Sequence, residues 1–333
     1  MNKKIKLGFI GTGAYGSAIA NVALSNKNEV LMYGINEEEL NDIESGFNKK
    51  YFSSSEFSNK EMLHTTKKLE ELIDKTEIIV LAIPSNSIQK VLEEILKLRP
   101  NKKINLINIA KGFENNSKNF FSNFIKKEFK NNLNNFATIL GPSFANELFN
   151  KNTTIVNVFS ENKDFVLELK KIFDNDYFKL IEIKDSFISE LFAALKNVLA
   201  IGSGILNYYS DSRNTHAAFL TQGIKDIMII YESLSSDIDF KNVVDFSTLG
   251  DVILTCSSEK SRNFSYGRYI ARWGLEKANI DFKQTIEGKE AAKILESKID
   301  INSLKISVIK TIIEILNGTK KPERITTFIN ELR

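Results

Sequence analysis

The sequence predicts two architectures in succession, an α/β domain with a mainly parallel sheet over residues 1–185 and an all-helical domain over 186–333. Three observations carry this. Short apolar runs alternate with helical patterns through the first half. A glycine-rich turn joins the first apolar run to the first helix. Near Asp185 the strand pattern stops and helix follows helix. Strands separated by helices form βαβ units, whose parallel sheets are covered on both faces. The chain's 333 residues exceed one ordinary core, so two domains are expected.

Ile5–Ile10 reads as the first strand, with a helix over Ala14–Ser25 behind it. Val30–Tyr33 is the second strand. The third is 78–83, followed by a helix over 87–98; the fourth is 104–109 and the fifth 136–140. Thr154–Phe159 and 178–183 add two more, with a helix over 164–173 between them. Phe120, Phe121 and Phe124 mark the buried face of a further helix. Beyond Asp185, helices are expected over 186–206, 215–234, 266–277, 290–297 and 304–316, with Trp273 in the core.

Composition removes several function classes. The net charge of +3 comes from balanced and scattered charges, which is no basis for a nucleic-acid partner. One cysteine forbids an internal disulfide, and the start shows no secretory segment, so a cytoplasmic location is expected. The apolar runs fall short of the roughly 18–20 residues of a bilayer span, so no integral membrane segment is expected. Two histidines and one cysteine, far apart, give no metal site.

Gly11-Thr12-Gly13-Ala14-Tyr15-Gly16 follows an apolar strand and opens a helix, the context that makes G-x-G-x-x-G a dinucleotide fingerprint. Gly11 permits the tight turn, Gly13 lets backbone approach the pyrophosphate, and Gly16 allows close helix–strand packing. The helix N-terminus then favours the phosphates. The second strand runs into Tyr33-Gly34-Ile35-Asn36-Glu37, with no acid directly at its end and no arginine near. Glu37 could hold a ribose or equally cap the next helix, so NAD and NADP both stay open. Pro84 and Lys111 follow the third and fourth strands, at the sheet edge where ligands collect. Lys111 there is either a cofactor or substrate contact or a solvated loop lysine.

Between Glu190 and Ser203 only Lys196 and Asn197 are polar, which marks a buried helix. Burial lowers a lysine pKa toward what a general base needs, and Ala193 and Ala200 leave room for a ligand. The helix alone is equally compatible with a lysine that snorkels outward or pairs with Asp251 for structure. Farther on, Asp251 to Asn263 packs an acid, hydroxyls, a guanidinium and an amide into one span. Such a span suits a small phosphorylated substrate, with Arg262 as a forked phosphate clamp.

In their order and spacing these segments resemble the bacterial NAD(P)-dependent glycerol-3-phosphate dehydrogenase family over essentially the whole chain. Further segments that carry it are Ala82-Ile83-Pro84-Ser85, Gly141-Pro142-Ser143-Phe144-Ala145 with Glu147, Leu249-Gly250-Asp251, Gly267 and Glu287-Gly288. The resemblance implies a Rossmann-like first domain and a helical second domain of the 6-phosphogluconate-dehydrogenase-like type. It implies reversible hydride transfer between glycerol 3-phosphate and dihydroxyacetone phosphate, for glycerophospholipid synthesis, by a homodimer. Lys196 resembles the proton acceptor, and Lys111 a residue shared by cofactor and substrate. Gly141, Ser143, Asp251, Ser261, Arg262 and Asn263 match substrate contacts. Gly11, Gly13, Ala14, Tyr15, Gly16, Pro84, Ala145, Arg262, Thr285 and Glu287 match cofactor contacts. Thr255 resembles a residue that orients the lysine, and is equally a helix-end hydroxyl.

The chain also departs from the family pattern. Asp245-Phe246-Ser247-Thr248 stands where a glycine-rich approach to Asp251 is usual, so the loop presenting Asp251 is expected to be altered. A basic residue near Ile35 is absent, which argues against NADP, and Asp211-Ser212-Arg213-Asn214 lacks a usual glycine. Two other readings compete: a β-hydroxyacid dehydrogenase with a carboxylate substrate, and an inactive dinucleotide-binding sensor. Cys256 reads as a small buried side chain rather than a nucleophile, and His64 and His216 as ordinary residues.

Overall fold

The computed structural model describes residues 5–114, 118–235, 240–283 and 285–332. The chain forms two compact units, Met1–Ser186 and Phe187–Arg333.

The first unit is built on one eight-stranded sheet. Its strands are β1 (Ile5–Ile10), β2 (Val30–Tyr33), β3 (Leu63–Thr66), β4 (Thr76–Leu81), β5 (Ile104–Asn108), β6 (Leu133–Leu140), β7 (Thr154–Phe159) and β8 (Phe178–Glu182). Their spatial order is β3-β2-β1-β4-β5-β6-β7-β8. Neighbours run parallel except β6 and β7, which pair antiparallel from Thr138↔Phe159 to Leu140↔Asn157. Alternation along each strand sends side chains to opposite faces. Leu7, Phe9, Ile78, Val80, Ile107 and Val156 enter one core with the Ala14–Ser25 helix. Ile79, Leu81 and Leu106 enter the other, with Phe121 and Phe124 of the Phe121–Glu128 helix. The mainly parallel sheet is therefore covered on both faces, as the sequence indicates.

The sequence reading finds seven of these strands. It misses β3, Leu63-His64-Thr65-Thr66, which has one apolar residue and lies at the sheet edge. It also runs the strand before Pro84 two residues too far. The last ladder bond there is Ala82 N–H to Ile10 O at 2.9 Å, after which the chain turns away.

The second unit is helical. Its longest element is the Ser186–Tyr209 helix of 24 residues. Among the described residues this helix alone is long and apolar enough to cross a bilayer, although the sequence reading puts every apolar run short of that. The apolar window is wholly buried inside the protein. The helix expected over 266–277 is in fact two, Arg262–Trp273 and Leu275–Asp281, parted by Gly274 at φ +85°. Trp273 is not core. It ends its helix 49% exposed, with the Arg272 guanidinium 4.8 Å from its ring. The helix expected from 304 begins at Val308, because the Asp226 carboxylate takes the N–H groups of Ser307 (3.0 Å) and Ile309 (2.9 Å) and so fixes the start. Ser212 caps the Arg213–Leu234 helix in the ordinary way, accepting from Thr215 N–H at 3.3 Å.

Candidate active site

The first unit gathers polar and glycine positions at the carboxyl ends of its strands. Gly11 stands at φ +116°, and a Cβ there would lie 2.5 Å from the Ala82 carbonyl oxygen; one on Gly16 would lie 2.6 Å from Ala82 Cβ. These two glycines are required by the fold, because the helix start presses on the strand end. Gly13 differs. Its φ of −66° suits any residue, and an added Cβ would meet nothing within 4 Å. The protein itself does not need glycine there. What the missing side chain leaves is open room at the head of a 12-residue helix that has no side-chain cap. That room fits a dinucleotide pyrophosphate, which such a helix end attracts through its N–H groups.

Beside this loop, Lys111 donates to the Gly141 carbonyl at 3.1 Å, and its ammonium lies 5.8 Å from the centre of the Tyr15 ring. Ser143 Oγ sits 3.0 Å from Tyr15 Oη and 3.1 Å from the Gly141 oxygen. Tyr15, Lys111, Gly141 and Ser143 are thus brought together from the start of the Ala14–Ser25 helix and the loops after β5 and β6. Ala14 and Ala145 pack against the core that backs the loop, and Pro84 lies exposed after β4. Glu37 neither caps nor faces this loop. Asn36 is the cap, accepting from Glu39 N–H at 3.1 Å, while Glu37 points outward to Lys67. The acid that reaches the loop is Glu39, whose Oε2 accepts from Thr12 Oγ at 2.7 Å. Nothing in a run of three glutamates singles it out.

In the second unit, the Lys196 side chain is 4% exposed and donates to Asp251 Oδ1 at 2.7 Å and to Thr255 Oγ at 2.8 Å. Asp251 and Thr255 are one turn apart on the Asp251–Cys256 helix, so both face the same way. Lys196 therefore does not snorkel. An ammonium so deep in an apolar helix needs this partner, since an unpaired buried charge is severely destabilising.

A second chain of contacts lies one residue along. Asn197 Nδ2 donates to Glu287 Oε2 at 3.2 Å, Asn263 Nδ2 donates to Asn197 Oδ1 at 3.1 Å, and Asn263 Oδ1 accepts from Gly288 N–H at 3.0 Å. Two glycines let these groups meet. A Cβ on Gly267 would lie 2.0 Å from Ile201 O, and one on Gly288 would lie 2.4 Å from Asn197 O. Their helices consequently touch the backbone of the Ser186–Tyr209 helix. Asn197 is the member that the sequence reading leaves without a role. Arg262 pairs with Glu287 at 3.5 Å and keeps its side chain 53% exposed. Ser261 is buried and caps its helix, accepting from Phe264 N–H at 3.4 Å. Thr285 is exposed and lies two residues before Glu287.

The run before Asp251 is ordered without glycines up to Leu249. Phe246–Gly250 forms one wide π-type turn that runs directly into the Asp251–Cys256 helix. Side chains fix it. Asp245 accepts from Phe246 N–H at 2.7 Å, Thr248 Oγ accepts from Asp245 N–H at 3.1 Å, and Ser247 bonds Ser189 at 2.8 Å. Cys256 is buried, and burial pushes its thiol up to about 12, which leaves it inert at neutral pH. No group of three or more potential metal ligands occurs among the described residues.

Comparison with known proteins identifies relatives of the whole chain. The family profile for the NAD-dependent glycerol-3-phosphate dehydrogenase N-terminus matches residues 6–166, and that for the C-terminus matches residues 185–327. The chain is 35% identical to the NAD(P)+ glycerol-3-phosphate dehydrogenase of Malacoplasma penetrans, over 97% of this chain and 95% of that one. It is 34% identical to that of Mesoplasma florum, over 97% and 96%. A crystal structure of glycerol-3-phosphate dehydrogenase from Coxiella burnetii has the same fold, with a TM-score of 0.87 at 22% identity over 99% of each chain.

Proposed function

The chain belongs to the NAD-dependent glycerol-3-phosphate dehydrogenase family, and from that premise we propose that it interconverts sn-glycerol 3-phosphate and dihydroxyacetone phosphate, feeding glycerophospholipid synthesis. The observation that carries this is the buried Lys196–Asp251–Thr255 cluster, next along the helix to Asn197, which bonds Asn263.

A bound nicotinamide supplies the hydride acceptor or donor. The protein's own residues handle the proton and the charge. In reduction, the Lys196 ammonium gives a proton to the ketone oxygen as C2 gains hydride. In oxidation, the amine takes the C2 hydroxyl proton. Asp251 and Thr255 hold Nζ in place and the Asp251 carboxylate balances its charge, so the proton moves without turning the side chain. Arg262 offers two parallel N–H groups to phosphate oxygens, and Asn263 and the Ser261 hydroxyl border it. On the first unit, the Gly11–Gly16 loop, Pro84, Ala145 and Lys111 serve the cofactor, and Lys111, Gly141 and Ser143 also serve the substrate. A homodimer is the assembly that the family resemblance implies. A reducing cytoplasm suits its one free cysteine.

The test is the absorbance decay of NADH, and separately NADPH, with dihydroxyacetone phosphate. Rapid oxidation is expected. Turnover only with carboxylate hydroxyacids would overturn the substrate, and binding without any turnover would overturn catalysis.

A further inference from the structure

The adenine ribose of a dinucleotide lies at the carboxyl end of the second strand, next to the loop after the first. There the chain carries Gly34, Ile35 and Asn36, then Glu37, Glu38 and Glu39 in the first helical turn. The flanking glutamates of this run behave differently. Glu37 is 71% exposed and pairs with Lys67. Glu39 folds back until its side chain is only 14% exposed, accepting from Thr12 Oγ while Lys50 closes on its other oxygen. Thr12 stands between Gly11 and Gly13, and its methyl group lies 2.7 Å from where a Cβ on Gly34 would be. One carboxylate therefore ties the phosphate loop to the strand end. Burial works against its charge, but the bonds to Lys50 and Thr12 outweigh it and hold the carboxyl below its usual range.

Two cations nearby are already paired. Lys50 pairs with Glu39 and Lys67 with Glu37. The first arginine of the chain is Arg99, which is bound to Glu70 and Asp74. At the strand end itself, Ile35 is 90% exposed, an apolar side chain where a 2′-phosphate would need a forked cation.

Resting on the dehydrogenase reading, we propose that this strand end selects NAD(H) over NADP(H), with Glu39 as the specificity-determining carboxylate and Ile35 as an apolar platform for the adenine. A 2′-phosphate would be set against an ionised carboxylate with no arginine to receive it. Free ribose hydroxyls, by contrast, are donors that a carboxylate accepts.

The test is titration of the full chain with NADH and with NADPH, read by the fluorescence of the bound nucleotide, so that no turnover is needed. The parent should bind NADH at least about tenfold tighter, since like charges brought together weaken binding by that order. Glu39→Gln keeps an acceptor for Thr12 and should narrow the gap at least about threefold. Ile35→Arg changes a side chain with almost no packing and should tighten NADPH alone. Equal or tighter binding of NADPH by the parent overturns the selection, and an unchanged ratio in Glu39→Gln overturns the role of Glu39. Failure to bind either nucleotide removes this proposal together with the dehydrogenase reading; NADPH preference removes only this one.

Discussion

The roles proposed for Lys196 and Arg262 can be separated by kinetics. Lys196 has no exposed surface to spare and is held by two bonds, so its loss removes the proton donor while leaving the cofactor loop untouched. Lys196→Ala should lower kcat by at least about a hundredfold, the lower end of what a positioned acid–base group contributes. NADH affinity, measured by fluorescence, should stay at the parent value; unchanged turnover would remove the acid–base role. Arg262 is half-exposed and already shares Glu287, so its clamp belongs at the weaker end for charge-assisted pairs. Arg262→Ala should raise KM for dihydroxyacetone phosphate by a factor equivalent to about 2 kcal/mol, with a smaller effect on kcat. An unaltered KM contradicts the clamp. Lys196 is legible in sequence because two polar residues interrupt an otherwise apolar helix. Asn197 stands beside it with the same signal, but its partners lie 66 and 90 residues downstream. Local pattern carries no trace of contacts at that distance.

Among the elements, glycine does two kinds of work, and the difference is testable. Gly16 is pressed against Ala82, whereas Gly13 faces open space. Gly16→Ala forces the Ala14–Ser25 helix off the end of β4 and should lower stability by about 1–3 kcal/mol, the usual range for overpacking. Gly13→Ala should leave the stability within about 0.5 kcal/mol of the parent, as for a surface change, yet weaken NADH binding sharply. If both variants lose stability equally, or if Gly13→Ala binds NADH normally, the loop does not hold the phosphates. Element boundaries follow the same logic of local against distant causes. Gly274 parts two helices through its own φ, and a glycine inside a helical pattern is a visible warning. The start at Val308 was not visible, because the capping group is Asp226, 81 and 83 residues away from the N–H groups it accepts. β3 escaped because an edge strand needs only one buried apolar residue to hold its place.

At the scale of the whole molecule, sequence periodicity conveys the succession of a mainly parallel sheet and a helical unit, since both are repeated local patterns. It marks Lys196 as a buried ionisable group but not Asp226, whose titration makes stability depend on pH. Asp226 is fully buried, and burial raises its carboxyl above the usual range although Ile309 N–H, Gln222 and neighbouring backbone groups bond to it. A raised folded-state pKa means that the folded protein holds this proton more tightly than the unfolded chain. The resulting stability is fully present below the ordinary carboxylate pKa and is lost as pH rises through the raised value. Asp226→Asn retains an oxygen for the two backbone N–H groups but cannot ionise. The melting temperature of the parent relative to this variant should therefore fall as pH is taken upward from the ordinary carboxylate range, and should level off once Asp226 has ionised in the folded state. Asp226→Ala has no such acceptor and should be destabilised at every pH by about 1–3 kcal/mol for the buried N–H groups it orphans. A parent-to-asparagine difference that is flat or rises with pH would show that the burial of Asp226 is offset by its four bonds, and that the head of the Val308–Leu316 helix holds an ordinary ionised cap.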